Sequence, residues 1–180
     1  MHGLPARTAW GIVRAPMAAG PWQPGGAQVI PVYTYDDFSV GLLLRSPRAI
    51  VMERDRIIAF GEEFDPQPAH LGEAAAAKSQ FGELVASGWH TGAVSMRLAT
   101  ETYRIADGGM GAGIEKLLWL RPVRPGDALR VEISVLAMRV SRSRPDRGLV
   151  TIHTRTLNQH DATVMETTAH VLAPRRAPTP

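Results

Sequence analysis

In the second half of the chain the apolar residues fall into four runs, Ile114 to Leu120, Ala128 to Val140, Gly148 to Leu157 and Thr163 to Leu172. Each run is rich in Val, Ile, Leu and Thr and alternates approximately with polar positions, the period of half-buried strands. The intervening residues carry turn chemistry. Arg124-Pro125-Gly126-Asp127 places Pro and Gly where a type II turn needs them, and Asn158 to Asp161 is a polar hairpin tip. Four sequential strands in an antiparallel meander are therefore expected.

The first half has a different period. Val29 to Tyr35 and Ala49 to Met52 are short strand-like runs, whereas Glu53 to Glu63 sets Ile57, Ile58 and Phe60 among charges in the manner of a short helix. Glu73 to Gln80 is alanine-rich and reads as a second short helix. The longest helical candidate is Ser87 to Asp107, in which Gly88, Gly92, Ser95, Ala99, Thr102 and Ala106 recur at steps of three or four beside Val94, Leu98 and Ile105. A stripe of small residues lets a helix lie close to a sheet. A leading strand, one long helix and a meander make an α+β layer in which an antiparallel sheet wraps a central helix, the hot-dog arrangement.

Composition narrows the chemistry. A length of 180 residues suits one domain with tails, and the absence of cysteine removes disulfides, thiolate metal sites and cysteine nucleophiles. Residues 1–28 carry Arg7, Arg14 and several prolines without a continuous apolar run, and are expected to be a flexible tail rather than a signal peptide. Residues 29–173 are then the domain, and 174–180, with Pro174, Arg175, Arg176, Pro178 and Pro180, a disordered end. No run approaches the ~20 apolar residues of a membrane span, so a cytoplasmic protein with no membrane partner is expected. The net charge of +3 fits a polyanionic ligand such as coenzyme A as well as simple solubility. The basic stretch Arg139, Arg142, Arg144 and Arg147 lacks interleaved aromatics, which speaks against nucleic acid. Gly109-Met110-Gly111-Ala112-Gly113 follows a helix and precedes a strand, the reverse of a dinucleotide loop, and reads as a connection. The six histidines show no metal-binding spacing.

Two segments can carry chemistry. In Phe64-Asp65-Pro66-Gln67-Pro68-Ala69-His70 the prolines forbid helix and stiffen the loop, and a carboxylate and an imidazole on one stiff loop can share a water. Extended steps of ~3.3 Å would carry Asp65 and His70 apart, so the loop must bend for both to act together. A turn in which Asp65 caps a backbone and His70 is structural fits the same pattern. In Phe81 to Thr91, Ser87-Gly88 opens the long helix, where the Gly88 N–H and the helix dipole can stabilise an enolate-like charge on a thioester oxygen. An ordinary Ser87 N-cap, with Gly88 needed for packing, is compatible with that role. His90, three residues past Ser87 without a G-x-S-x-G elbow, reads as a pocket wall rather than a hydrolase base.

FDPQPAH followed by FGELVASGWHTGAVSMRL resembles the pattern of the MaoC-like dehydratases and (R)-specific enoyl-CoA hydratases. Asp37-Phe38-Ser39-Val40-Gly41, Leu118 to Asp127 and Ser141 to Pro145 extend the resemblance from about Tyr33 to Ala173. It implies the hot-dog fold and a hydro-lyase that adds water reversibly to trans-2-enoyl thioesters, giving (R)-3-hydroxyacyl thioesters, with no metal or redox cofactor. Asp65 and His70 match the family's catalytic pair, and Gly88 the glycine whose amide contacts the thioester oxygen. Two positions depart: Gln67-Pro68 stands where many hydratases have Asn-Pro, and Met96, beside Ser95, where they have serine. His70-Leu71-Gly72 also lacks the usual acidic residue. Substrate contacts are expected from Gln67, Ser87, Trp89 and His90, and coenzyme A phosphate contacts from Lys116, Arg121 or Arg124 at the seam of a homodimer. A hot-dog thioesterase using Glu83, or an acyl-CoA-binding module without turnover, are the alternatives.

Overall fold

The structure is a computed structural model that describes residues 29–176. The strands are β1 (Val32–Tyr33), β2 (Leu43–Arg45), β3 (Ile50–Val51), β4 (Arg104–Ile105), β5 (Met110–Trp119), β6 (Ala128–Val140), β7 (Arg147–Leu157) and β8 (Thr163–Pro174). The helices are α1 (Arg54–Phe64), α2 (Glu73–Ala76) and α3 (Gly88–Thr102). The main sheet runs in the order β2-β6-β7-β8-β5, with β3 pairing a second stretch of β6, and every pair in it is antiparallel. Alternation sets its faces. Val150, Ile152, Thr154 and Thr156 of β7 are buried while Thr151, His153 and Arg155 between them are half-buried. The inner face packs on α3, so that Leu98 shares one core with Val131, Ile133, Val150, Ile152 and Val164. This is the α+β hot-dog arrangement expected from the sequence.

The turns behave as their residues dictate. Asp127 N–H donates to the Arg124 carbonyl at 3.1 Å with Gly126 at φ +88°, a type II geometry. Asn158 closes the β7–β8 hairpin, its side chain accepting from the His160 and Ala162 N–H groups.

Several expectations are corrected. Only β6, β7 and β8 form a sequential meander; β5 crosses to the far edge, next to β8. The glycine-rich segment read as a connection is the start of β5, with irregular register between Gly111 and Gly113 and Gly113 at φ +146°. The long helix ends at Thr102, not Asp107, because Tyr103 turns extended (φ −152°, ψ 155°) and its ring packs edge-on against Tyr33 and Phe38. Beyond it, β4 pairs in parallel with β1, which shortens the first expected strand to two residues. The small-residue stripe is also rotated: Thr91, Ser95, Leu98 and Thr102 are buried, whereas a side chain at Gly92 would meet nothing within 4 Å. The second short helix stops at Ala76. The strand β2, with only three residues, is too short to show a period in the sequence.

The sequence-based tail boundaries fall largely at residues 1–28 and 177–180, outside the described residues. Past Ala173, however, Pro174 closes β8, the Arg175 N–H donates to the Asp146 carbonyl at 2.8 Å, and the Arg176 guanidinium pairs with Asp37. Among the described residues no helix is long and apolar enough to cross a membrane.

Candidate active site

Asp65 stops α1. Its N–H makes the last helical hydrogen bond, to Gly61 O at 3.0 Å, and Pro66 then bars a further turn by disfavouring the helical conformation at the residue before it. Gln67, itself before a proline, is extended (φ −87°, ψ 145°), and Pro68 then opens a single 3-10 turn, Pro68–His70. This turn supplies the bend that the spacing of Asp65 and His70 requires. His70 Nε2 comes to 3.5 Å from Asp65 Oδ2.

Groups on the loop itself, on the segment before α3 and on α1 lock the pair. The Ser87 hydroxyl donates to Asp65 Oδ2 at 2.7 Å, and the Gln67 amide donates to Oδ1 at 2.7 Å. The Val85 carbonyl lies 2.7 Å from His70 Nδ1, and a carbonyl can only accept, so Nδ1 carries the ring proton and Nε2 of the neutral ring is the free acceptor. Val85 is held by its own N–H, which donates to Ala69 O at 3.0 Å. Finally, α1 is pressed against the loop at Gly61, where a Cβ would stand 2.6 Å from the His70 carbonyl oxygen.

Ser87 serves twice. It is completely buried, caps α3 by accepting from Trp89 N–H at 3.2 Å, and spends its own hydrogen on Asp65. The hydrogen bonds from Ser87 and then Gln67, with the charge that His70 can carry, hold the Asp65 carboxyl below its ordinary value, so it is an anion at neutral pH. Gly88 is the first residue of α3, and its N–H therefore has no intrahelical acceptor. Its carbonyl accepts from Trp119 Nε1 at 2.9 Å, and the indole lies so close that a Cβ on Gly88 would meet it at 2.6 Å. Trp119 in turn meets Trp89 edge-on, with centroids 5.3 Å apart.

The structure thus brings together Asp65, Gln67, His70, Ser87 and Gly88. Trp89 is exposed beside Trp119, and His90 is buried against Phe60 on the α1 side. Of the residues expected at the phosphates, Arg121 donates to the Thr163 carbonyl, Arg124 pairs with Glu83, and Lys116 sits on β5 opposite Thr168. That Arg124 pair leaves Glu83 exposed and engaged in an ion pair. Val85 O, Gly61 and Trp119 were not identified from sequence. A glycine among charged helical residues was the one available sign of the α1 contact.

Comparison with known proteins bears on the chain as a whole. Residues 39–156 match the family described as MaoC like domain. The uncharacterised protein YdeM of Bacillus subtilis is 31% identical over 141 residues, covering 78% of this chain and 98% of that protein. The crystal structure of a MaoC-like dehydratase from Rhodospirillum rubrum superposes with a TM-score of 0.76 at 47% identity, over 81% of this chain and 99% of that one. The unliganded R-hydratase PhaJ1 of Pseudomonas aeruginosa superposes with a TM-score of 0.61 at 28% identity, over 82% of this chain and 93% of that one.

Proposed function

Since the chain belongs to the MaoC-like dehydratase family, we propose that it is a hydro-lyase that adds water reversibly to a trans-2-enoyl thioester, with Asp65 and His70 as its catalytic pair. The observation that carries the reading is the orientation of the pair. A fixed Nδ1–H leaves His70 Nε2 as an acceptor facing an anionic Asp65 oxygen 3.5 Å away, and one water can donate a hydrogen to each.

In the hydration direction, His70 Nε2 takes a proton from that water while its oxygen bonds to C3 of the enoyl group. The C2–C3 π electrons move onto C2 and the thioester carbonyl, giving an enolate whose oxygen is met by the free Gly88 N–H at the positive end of α3. The imidazolium then returns the proton to C2, and the 3-hydroxyacyl thioester leaves with the site restored. Asp65 holds the water through its second hydrogen and stabilises the imidazolium. Dehydration runs the same steps backwards. The acyl carrier, whether coenzyme A or a carrier protein, binds outside these steps.

The active form in this reading is a homodimer. The edge strand β5 leaves Met110, Ile114, Leu118 and Trp119 exposed, a long uncovered edge of the kind that proteins pair or protect.

The test is the change in enoyl-thioester absorbance with a panel of trans-2-enoyl-CoA and 3-hydroxyacyl-CoA substrates. Turnover by the native protein that falls by ~10²-fold or more in folded Asp65→Asn and His70→Ala variants supports the reading. Turnover that survives both substitutions, or none across the panel, rejects it.

A further inference from the structure

The face of the sheet turned away from α3 carries a hollow of about 500 Å³, within the ~300–1,000 Å³ range of small-molecule sites. Its lining includes Ala112 of β5, Ala137 and Arg139 of β6, Leu149 and Thr151 of β7 and His170 of β8. Register fixes the face. Val150 and Ile152 point into the core, so Leu149 and Thr151 point away from it; Ala137 and His170 stand opposite Thr151, and Arg139 opposite Leu149, on that same outer side. Ser87 and its Asp65 partner are at the start of α3, on the core side, so the sheet separates the hollow from the Asp65 loop.

Irregular pairing opens the space. The register of β6 slips between Val135 and Ala137 and that of β5 between Gly111 and Gly113, and bulges of this kind bend and twist the strands that carry them. At both slips an alanine lines the hollow, and its side chain ends at Cβ, leaving room between longer walls. One wall is Arg139. The other is His170, whose Nδ1 lies 3.1 Å from Thr151 Oγ1 and whose Nε2 lies 3.7 Å from Glu115 Oε2. Glu115 disfavours a negative charge at the His170 end, while the guanidinium across β7 attracts one, so the hollow is polarised from one wall to the other. An edge-to-edge partner on β5 would extend the sheet in its own plane and leave this face open.

We propose that the hollow is a second ligand site, for a monocarboxylate on a short apolar body. The planar fork of Arg139 pairs with the carboxylate, and Leu149, Ala137 and Ala112 bear the apolar part. One guanidinium balances one negative charge, whereas a phosphate ester brings ~1.5–2. The site is independent of the Asp65–His70 chemistry. Calorimetric titration of the native protein with sodium hexanoate, 1-hexanol and inorganic phosphate tests it. Hexanoate is expected to bind at least ~10-fold more tightly than either of the others, the scale of a hydrogen bond between charged groups. Arg139→Gln is expected to bring hexanoate down to the level of hexanol, and Ala137→Phe, which fills the hollow from an exposed position, to abolish binding, with unchanged thermal melts reporting intact folds. No binding of hexanoate at millimolar concentration, equal affinity in Arg139→Gln, or binding that Ala137→Phe leaves intact overturns the site. So does a native tetramer that Ala137→Phe splits into dimers, since a second copy of the chain would then cover this face.

Discussion

Asp65 is held by neutral donors, and that arrangement sets its pH behaviour. Because Ser87 and Gln67 lower the folded-state pKa, their hydrogen bonds stabilise the fold above the ordinary carboxylate range near pH ~4 and lose that contribution as pH falls through the lowered value. Ser87→Ala removes the largest of these causes, so the acid limb of the kcat/KM profile is expected to move to higher pH. The same variant loses the α3 cap and about 1 kcal/mol of stability, which a thermal melt at neutral pH reads separately. His70→Gln is expected to retain the fold and lose ~10²-fold or more in enoyl-thioester turnover, since an amide cannot take up and return a proton. At this scale the sequence was informative where rigidity is written locally. Two prolines marked the Asp65 loop and a Ser-Gly pair marked the helix start, whereas Val85 O, which fixes the His70 tautomer, is a backbone atom with no side-chain signature.

The Asp65 loop is shaped by the helix behind it. A Cβ at position 61 would stand 2.6 Å from the His70 carbonyl oxygen and 2.8 Å from its Cβ, contacts made with backbone and so hard to relieve by a rotamer change. Gly61→Ala is therefore expected to displace the His70 turn from α1, destabilising the protein by ~1–3 kcal/mol and lowering kcat/KM by more than the fraction unfolded explains; melting curves beside steady-state kinetics measure both. Gly88→Ala meets Trp119 instead, a side chain, and replacing Trp119 by Leu in the same protein is expected to recover part of the lost stability. Elements that alternate over ten or more residues, β6 and β7, were legible almost to the residue. Those fixed by tertiary contact were not. The helical period runs on through Ile105, yet the aromatic contacts of Tyr103 with Tyr33 and Phe38 end α3 at Thr102. The position of β5 depends on a crossover that no local pattern records.

At the level of the whole molecule, the sheet has an unequal pair of edges. One is covered in part by the short strands β2 and β3, while the other is the ten-residue β5 with apolar side chains on view. Light scattering at micromolar concentration is expected to give a dimer, and Ile114→Lys, placing a charge on a side chain that is 63% exposed in the single chain, is expected to shift it toward monomer. A monomeric native protein would remove the dimer from the proposal and leave the Asp65–His70 geometry untouched. The indole that roofs Gly88 has one more consequence. Of the chain's four tryptophans, Trp10 and Trp22 lie outside the described residues, and Trp89 and Trp119 meet over the N-terminus of α3. Emission from that pair depends on what surrounds Gly88, so the intrinsic fluorescence of the unlabelled protein doubles as an optical readout of the site: a thioester arriving there should alter its intensity or colour, and stopped-flow mixing would time the arrival without any added dye.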